Sequence, residues 1–314
     1  MTSLAVKRLR ELAVTSSNSH CWQSSAKYHL IIDSQYGRAP IHWAASRGNV
    51  EIVNLLIDAK CDIEAADKFG MRPLLMAAWH GHLAAVKTLV DAGACLAATN
   101  KKNNDVLQCA CSRGATDVAA YAISLGAKVQ NTDTAGDAPL ALAARSGHTA
   151  TVELLLDSGA DIDAVNKAGR TALHVACEGG HSQTCALLVT RGADREFRDQ
   201  AGRTPLHLAA VHRHTDLVRT LLDHGCNVDS TDQNGVTALQ MACAQGCRGI
   251  VEHLLAFNAD VHLQNNVSIQ ALRFYAYLHF ALVCLLFFFE PSYLTNTCDS
   301  YKVLNRLSHL ALPI

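Results

Sequence analysis

Hydrophobic residues along this chain recur in two forms. One is a small pair such as Ala44-Ala45, Ala77-Ala78, Ala143-Ala144 or Ala209-Ala210, and the other is a leucine-rich run such as Val152-Glu153-Leu154-Leu155-Leu156. Polar stretches centred on glycine separate them. Gly37, Gly70, Gly136, Gly169, Gly202 and Gly235 lie on one 33-residue grid, with Asn103 in the remaining place. A fixed period of this length marks a stack of repeats. Each unit reads as a turn, a short helix, a second helix and a loop. Glycine permits the positive φ of a tight turn, and the Thr or Pro after it caps the first helix or fixes its first φ. Paired alanines let two helices approach closely, and the leucine run is the apolar face of the second helix. Gly159 or Gly192 then ends that helix in a left-handed cap. Such a unit cannot bury its own apolar face and folds only against its neighbours.

The residues around each grid glycine also repeat in kind: Arg38-Ala39-Pro40-Ile41-His42, Gly169-Arg170-Thr171-Ala172-Leu173-His174 and Gly202-Arg203-Thr204-Pro205-Leu206-His207. Gly-His follows at Gly81-His82, Gly147-His148 and Gly180-His181, and Ala160-Asp161-Ile162 completes a unit. This Thr-Pro-Leu-His pattern resembles the ankyrin repeat, over about residues 34–266. The resemblance implies an all-α solenoid of stacked ankyrin repeats, turn–helix–helix units of 33 residues. The expected organisation is an irregular N-terminal segment or degenerate cap at 1–33, about seven repeats at 34–266, and an apolar non-repeat tail at 267–314.

Two departures from the pattern carry expectations. Asn103 to Gly126 lacks the proline, the Thr and the leucine-rich helix, having Val106-Leu107-Gln108-Cys109-Ala110-Cys111 and Tyr121-Ala122-Ile123, so the third repeat is degenerate and expected to be the least stable internal one. Arg213 stands where other repeats carry glycine, which implies either a strained turn or a shifted helix boundary.

Beyond Asn266 the pattern stops. Phe274 to Phe289 is almost wholly apolar, and half of the chain's aromatic residues fall between Phe274 and Tyr301. As a helix this run spans roughly 24 Å, short of the roughly 30 Å hydrocarbon core of a bilayer. Three readings follow: an end produced by alternative splicing or a mis-drawn gene boundary, a membrane anchor over 274–289, or an apolar helix docked on the last repeat.

Composition narrows the function. Lys+Arg 27 against Asp+Glu 28 leaves the chain near neutral, and nothing in the balance calls for nucleic acid. The N-terminus carries Lys7, Arg8 and Arg10 without an apolar run of signal-peptide length, which predicts a cytoplasmic protein, with the membrane as the alternative. Twelve cysteines suggest zinc or disulfides until their places are read. Cys111, Cys177 and Cys243 take the slot of Ala45, Ala78, Ala144 and Ala210, Cys61 and Cys226 that of Ala94 and Ala160, and Cys185 that of Val152 and Val218. These are small structural residues of a reducing compartment, and no metal or other cofactor is expected. His42, His174 and His207 share one slot, and His82, His148, His181 and His214 share another, which predicts hydrogen bonds from one repeat to the next. No phosphate loop, Gly-x-Ser-x-Gly elbow or His-Glu-x-x-His occurs. The expectation is a protein that is not an enzyme and has no small-molecule substrate.

In ankyrin-like stacks the resemblance implies that partners meet positions beside the turn glycine and just after the alanine pair. Here the turns offer Tyr36, Arg38, Lys68, Phe69, Met71, Lys101, Lys102, Lys167, Arg170 and Arg203, and the first helices offer Arg47, Trp79, His80, Arg113, Arg145, Glu178 and His212. Tyr36, Phe69, Met71 and Trp79 put large apolar groups on slots expected to face solvent, as a binding hot spot does. The other reading is that Trp22 to Asp33 folds back over them. The cations also predict a basic inner surface, with Glu51, Asp58, Asp91, Asp117, Glu153, Asp157, Asp223 and Glu252 on or beside the second helices, and hence an acidic or apolar partner segment. Ordinary solvated charge is the alternative.

Gly37-Arg38-Ala39-Pro40-Ile41-His42-Trp43-Ala44-Ala45, Lys68-Phe69-Gly70-Met71-Arg72-Pro73-Leu74-Leu75 and Ala78-Trp79-His80-Gly81-His82 further resemble the ankyrin-repeat and death-domain proteins. Those proteins end in a helical death domain, for which residues 267–314 are too few and wrongly composed. That resemblance implies an intracellular signalling adaptor, a scaffold for another protein.

Overall fold

The computed structural model describes residues 36–265. The segment read as an N-terminal cap, the tail from 267 and its apolar run at 274–289 lie outside the described residues. Within them fourteen helices form seven pairs. The first helices of the pairs are α1 Pro40–Ser46, α3 Pro73–Trp79, α5 Val106–Arg113, α7 Pro139–Arg145, α9 Ala172–Gly179, α11 Pro205–Val211 and α13 Ala238–Ala244. The second helices are α2 Val50–Asp58, α4 Leu83–Asp91, α6 Thr116–Ser124, α8 Thr149–Asp157, α10 Ser182–Thr190, α12 Thr215–Asp223 and α14 Arg248–Ala256. First helices pack on first helices of the adjacent pairs, second on second, and the two members of each pair on one another. Among the described residues there is no named strand, and the fold is an all-α solenoid.

The small pair does what its spacing predicted. Ala45, Ala77, Ala78, Ala143, Ala144, Ala209 and Ala210 are fully buried between helices, and Cys111 and Cys177 fill the same slot with no exposure. Cys243, at the last position of that series, is only half-buried. Leu75, Leu107, Leu173 and Leu206 of the first helices and Leu89, Leu155, Leu188 and Leu221 of the second complete a core that runs from pair to pair. Each such leucine contributes about 1.5–3 kcal/mol of transfer free energy.

The turns are tied by a ladder. The N–H of Lys68 donates to the carbonyl of Tyr36 at 2.9 Å, Lys101 to Phe69 at 3.0 Å, Thr134 to Lys102 at 2.9 Å, Lys167 to Ala135, Gln200 to Ala168 and Gln233 to Ala201. This ladder gives the grid glycine a second duty besides its φ. A Cβ on Gly202, at φ +74°, would stand 2.7 Å from the backbone nitrogen of Gln233. Inside each of the six turns after the first an Asp or Asn oxygen accepts two backbone N–H bonds. Asp67 takes those of Phe69 and Met71, Asn100 those of Lys102 and Asn104, Asp133 those of Ala135 and Asp137, and Asn166 those of Ala168 and Arg170. Asp199 and Asp232 repeat the arrangement with Ala201 and Arg203, and with Asn234 and Val236. These residues also lie on the period, three before the grid position, and nothing but that period was needed to find them.

The third unit reaches the same fold by other chemistry. Asp105 accepts from the N–H of Gln108 at 2.9 Å while the Gln108 side chain accepts from the N–H of Asp105 at 3.0 Å, a reciprocal cap in place of Thr or Pro. Arg213 holds φ +63°, so the turn is strained and the helix boundary is unshifted.

Candidate functional site

The helix-to-helix histidines act between repeats. The Nε2 atoms of His42, His174 and His207 lie 2.9, 3.0 and 3.1 Å from the carbonyls of Met71, Arg203 and Val236 in the next unit. His82, His181 and His214 reach back to the carbonyls of Ser46, Arg145 and Glu178. Burial lowers the pKa of His174 and of His207 below the ordinary imidazole value.

The exposed slots fall into three series. At the turn tip, just before the grid position, stand Tyr36, Phe69, Lys102, Ala135, Ala168 and Ala201; Phe69 is 53% exposed and its ring centroid lies 6.0 Å from that of Tyr36. At the end of the first helix stand Ser46, Trp79, Ser112, Arg145 and Glu178, followed by Arg47, His80, Arg113 and His212 one residue later. Trp79 is half-buried, with the Arg113 guanidinium 4.3 Å above its ring.

The slot just after the grid position is tied to neighbouring groups, which corrects the expectation that Met71 faces solvent and leaves Arg38, Arg170 and Arg203 half-exposed with their guanidinium groups paired. Met71 is 8% exposed; its carbonyl receives His42 and its sulfur lies 3.3 Å from the Asn100 amide nitrogen, so it belongs to the core and not to a partner surface. Arg38 is paired with the buried carboxylate of Asp67 at 3.1 Å and stacks on Tyr36 and Trp43. Arg170 bonds Glu178 at 2.7 Å and lies 3.5 Å from Asp199, which Arg203 also holds at 2.9 Å. Burial alone would raise the pKa of Asp199, but the backbone N–H and guanidinium of Arg203 and the N–H of Ala201 outweigh it and hold the carboxyl below its ordinary range. Arg145, on the first helix, pairs with buried Asp137 at 2.7 Å. A uniformly basic inner surface is therefore not what these residues make. From Arg145 onward the arginines of the site are matched by acids of the same or the neighbouring turn. Asp137 and Asp199 were missed in the sequence, where only their spacing could have pointed to them.

Trp43 is exposed at 38%, yet its equivalents Met76, Cys109, Leu142, Val175 and Leu208 are buried. It is a core position at the end of the described stack.

Among the described residues no group of three or more His, Cys, Asp or Glu is placed to hold a metal ion. Burial pushes the Cys109 and Cys226 thiols up to about 12 and raises Cys111 and Cys177 as well, so none is a thiolate at neutral pH. The Cys177 and Cys185 sulfurs are 3.6 Å apart, in contact and unbonded.

A model of ankyrin repeats in three copies matches residues 12–100 and 173–265, and one of ankyrin repeats in many copies matches residues 140–189. The chain belongs to the ankyrin-repeat family. The first match begins at residue 12, inside the segment expected to be irregular or a degenerate cap. Among solved structures, the crystal structure of the human ASB11 ankyrin repeat domain is similar at 26% identity and a TM-score of 0.65, covering 71% of this chain and 99% of that one. No curated protein matches. None of these matches names the death-domain ankyrin proteins. Ankyrin repeats serve as protein–protein interaction modules and are typically non-catalytic, and among the described residues no helix is long and apolar enough to cross a membrane.

Proposed function

We propose that this chain is a non-catalytic scaffold or adaptor that holds another protein along its turn tips and the ends of its first helices. The observation that carries this reading is the behaviour of those slots. Core, turn and histidine positions repeat in kind from unit to unit, whereas the tip and helix-end positions hold Phe69, Trp79, His80, Arg113, Arg145, Glu178 and His212 in no repeated order. Packing dictates the first set and leaves the second free to match a partner. A cytoplasmic signalling role follows the resemblance to the death-domain ankyrin proteins and has no other support. A membrane-tethered form is the second reading, favoured by the apolar run at 274–289, and carbonate extraction of the full chain against one ending at Asn266 separates the two.

A photo-crosslinking amino acid at position 80, compared with one at position 219 on the second-helix row, tests the main reading in cells. Protein adducts from position 80 and none from position 219 are expected; adducts confined to 219 would overturn it.

A further inference from the structure

The two halves of the first-helix face use their cations differently. Toward the C-terminus, Arg145, Arg170 and Arg203 are matched by Asp137, Glu178 and Asp199, and Arg213 donates to the Gln245 amide oxygen at 3.0 Å. Toward the N-terminus, the turn residue Arg38 is likewise matched by Asp67, but Arg47 and Arg113 at the first-helix ends are exposed and have no carboxylate partner among the described residues. The Arg113 guanidinium carbon lies 4.3 Å from the centroid of the Trp79 ring, a cation–π contact that engages the face of the cation and not its N–H donors. The potential there is positive: besides burial and His82, the charges of Arg113, Arg38 and Arg47 all lower the pKa of His80. Trp79, His80, Gly81, Arg113 and Ala115 line an open concavity of about 420 Å³.

We propose that this concavity receives a short acidic segment of a partner protein, whose Asp or Glu carboxylate accepts from Arg113 while a neighbouring apolar side chain rests on the open part of the Trp79 ring. The proposal rests on the interaction-module reading above and adds the place and the chemistry. An unmatched guanidinium beside an aromatic surface favours a carboxylate flanked by apolar groups, and Arg47 in the first helix pair extends the attraction. Single-stranded nucleic acid also uses aromatic and arginine groups, but it needs a cationic groove that follows its backbone. Here the face is neutralised beyond Arg113 by Asp137, Glu178 and Asp199.

The test selects a random linear peptide library on the full chain, then measures anisotropy of a labelled peptide of the enriched sequence against Arg113→Gln, Trp79→Ala and, as a control on the last second helix, Arg248→Gln. Enriched peptides are expected to carry Asp or Glu next to an apolar residue. Arg113→Gln should weaken binding by about tenfold, the loss of one charged hydrogen bond, and added salt should weaken the wild type more than the variant. Trp79→Ala should weaken it as well, and Arg248→Gln should not. An unchanged melting temperature for Arg113→Gln makes the loss a binding effect. Peptides without acids, no enrichment, equal affinity for wild type and Arg113→Gln, or displacement of the peptide by labelled oligothymidylate would each overturn the inference. Adducts at position 80 together with any of those results would leave the interaction module standing and remove only its acidic preference.

Discussion

A single slot on the first helix shows how one residue is chosen for what it does to the next repeat. His42, Gln108, His174, His207 and Gln240 occupy it, and each bonds a carbonyl of the following unit, Gln108 to Asn131 at 3.2 Å and Gln240 to Leu263 at 2.7 Å. In His174 the Nδ1 atom accepts from the N–H of Thr171 at 3.3 Å and lies 2.9 Å from its hydroxyl, while Nε2–H donates to Arg203. Burial favours the neutral ring. A histidine pKa held below its ordinary 6.5 gives stability that is complete above 6.5 and is lost as pH falls from there through the lowered folded-state pKa. The melting temperature should therefore decline from about pH 6.5 to pH 5, ahead of carboxylate titration. The double variant His174→Gln/His207→Gln should keep the bonds and flatten that decline; an identical profile for the variant would remove these rings as its cause. A second residue carries strain without visible return. Arg213 sits at φ +63° where Gly48, Gly81, Gly114, Gly147, Gly180 and Gly246 occupy the equivalent turn. Arg213→Gly should stabilise by about 0.5–1 kcal/mol in urea titration, the αL strain released less the added freedom of the unfolded chain. A loss of stability would mean that its bond to Gln245 outweighs the strain.

At the scale of the element, each turn is held by its Asp or Asn and by the turn on either side. Asp199 serves both purposes, accepting two backbone N–H bonds and neutralising Arg170 and Arg203 with a side chain 1% exposed. Asn at this place, as in Asn100 and Asn166, keeps the backbone bonds and forgoes the charge. Asp199→Asn should accordingly cost about 1 kcal/mol and Asp199→Ala about 2–4 kcal/mol in chemical unfolding, because alanine also strands two turn donors. Equal losses would show that the charge pairs, not the turn, are what Asp199 supplies. The same turns mark how far the sequence could be read. A 33-residue grid reveals which positions are equivalent, and that was enough for the helices, the buried alanine slot, the left-handed caps and the bonding of histidines between repeats, though not for the backward reach of His82, His181 and His214. It does not reveal which way an equivalent position points. Met71, Arg38 and Arg170 look like tip residues beside Phe69, yet the chain has turned by one residue and directs them at the neighbouring turn, while Arg203 pairs within its own turn. Their acidic partners Asp67 and Asp199 lie 29 residues from Arg38 and Arg170, a contact across repeats that local pattern does not contain. For the same reason a triple charge reversal at Arg145, Arg170 and Arg203 would disturb folding before it tested any partner.

The molecule as a whole is a chain of neighbours, each helix pair contacting the pairs beside it. Stability in such a stack is close to a sum of unit and interface contributions, so damage at one end need not reach the other. Leu255 is 42% exposed, while its equivalent Leu222, one unit earlier, is buried. The chain also has built-in reporters of position, since its tryptophans are Trp22, Trp43 and Trp79, all toward the N-terminus. Leu254 is fully buried in α14, and Leu254→Ala should cost about 2–5 kcal/mol within that pair. Because that pair adjoins only α11 and α12 among the described elements, the loss should appear as an early, partial fall in helical circular dichroism while tryptophan emission holds its wild-type midpoint. The buried equivalent near the other end, Leu89→Ala in α4, should instead move the tryptophan transition first. If both variants shifted circular dichroism and fluorescence together by the same amount, the seven pairs would be unfolding as one unit, and the partner surface around Trp79 and Arg113 would depend for its stability on repeats that it never touches.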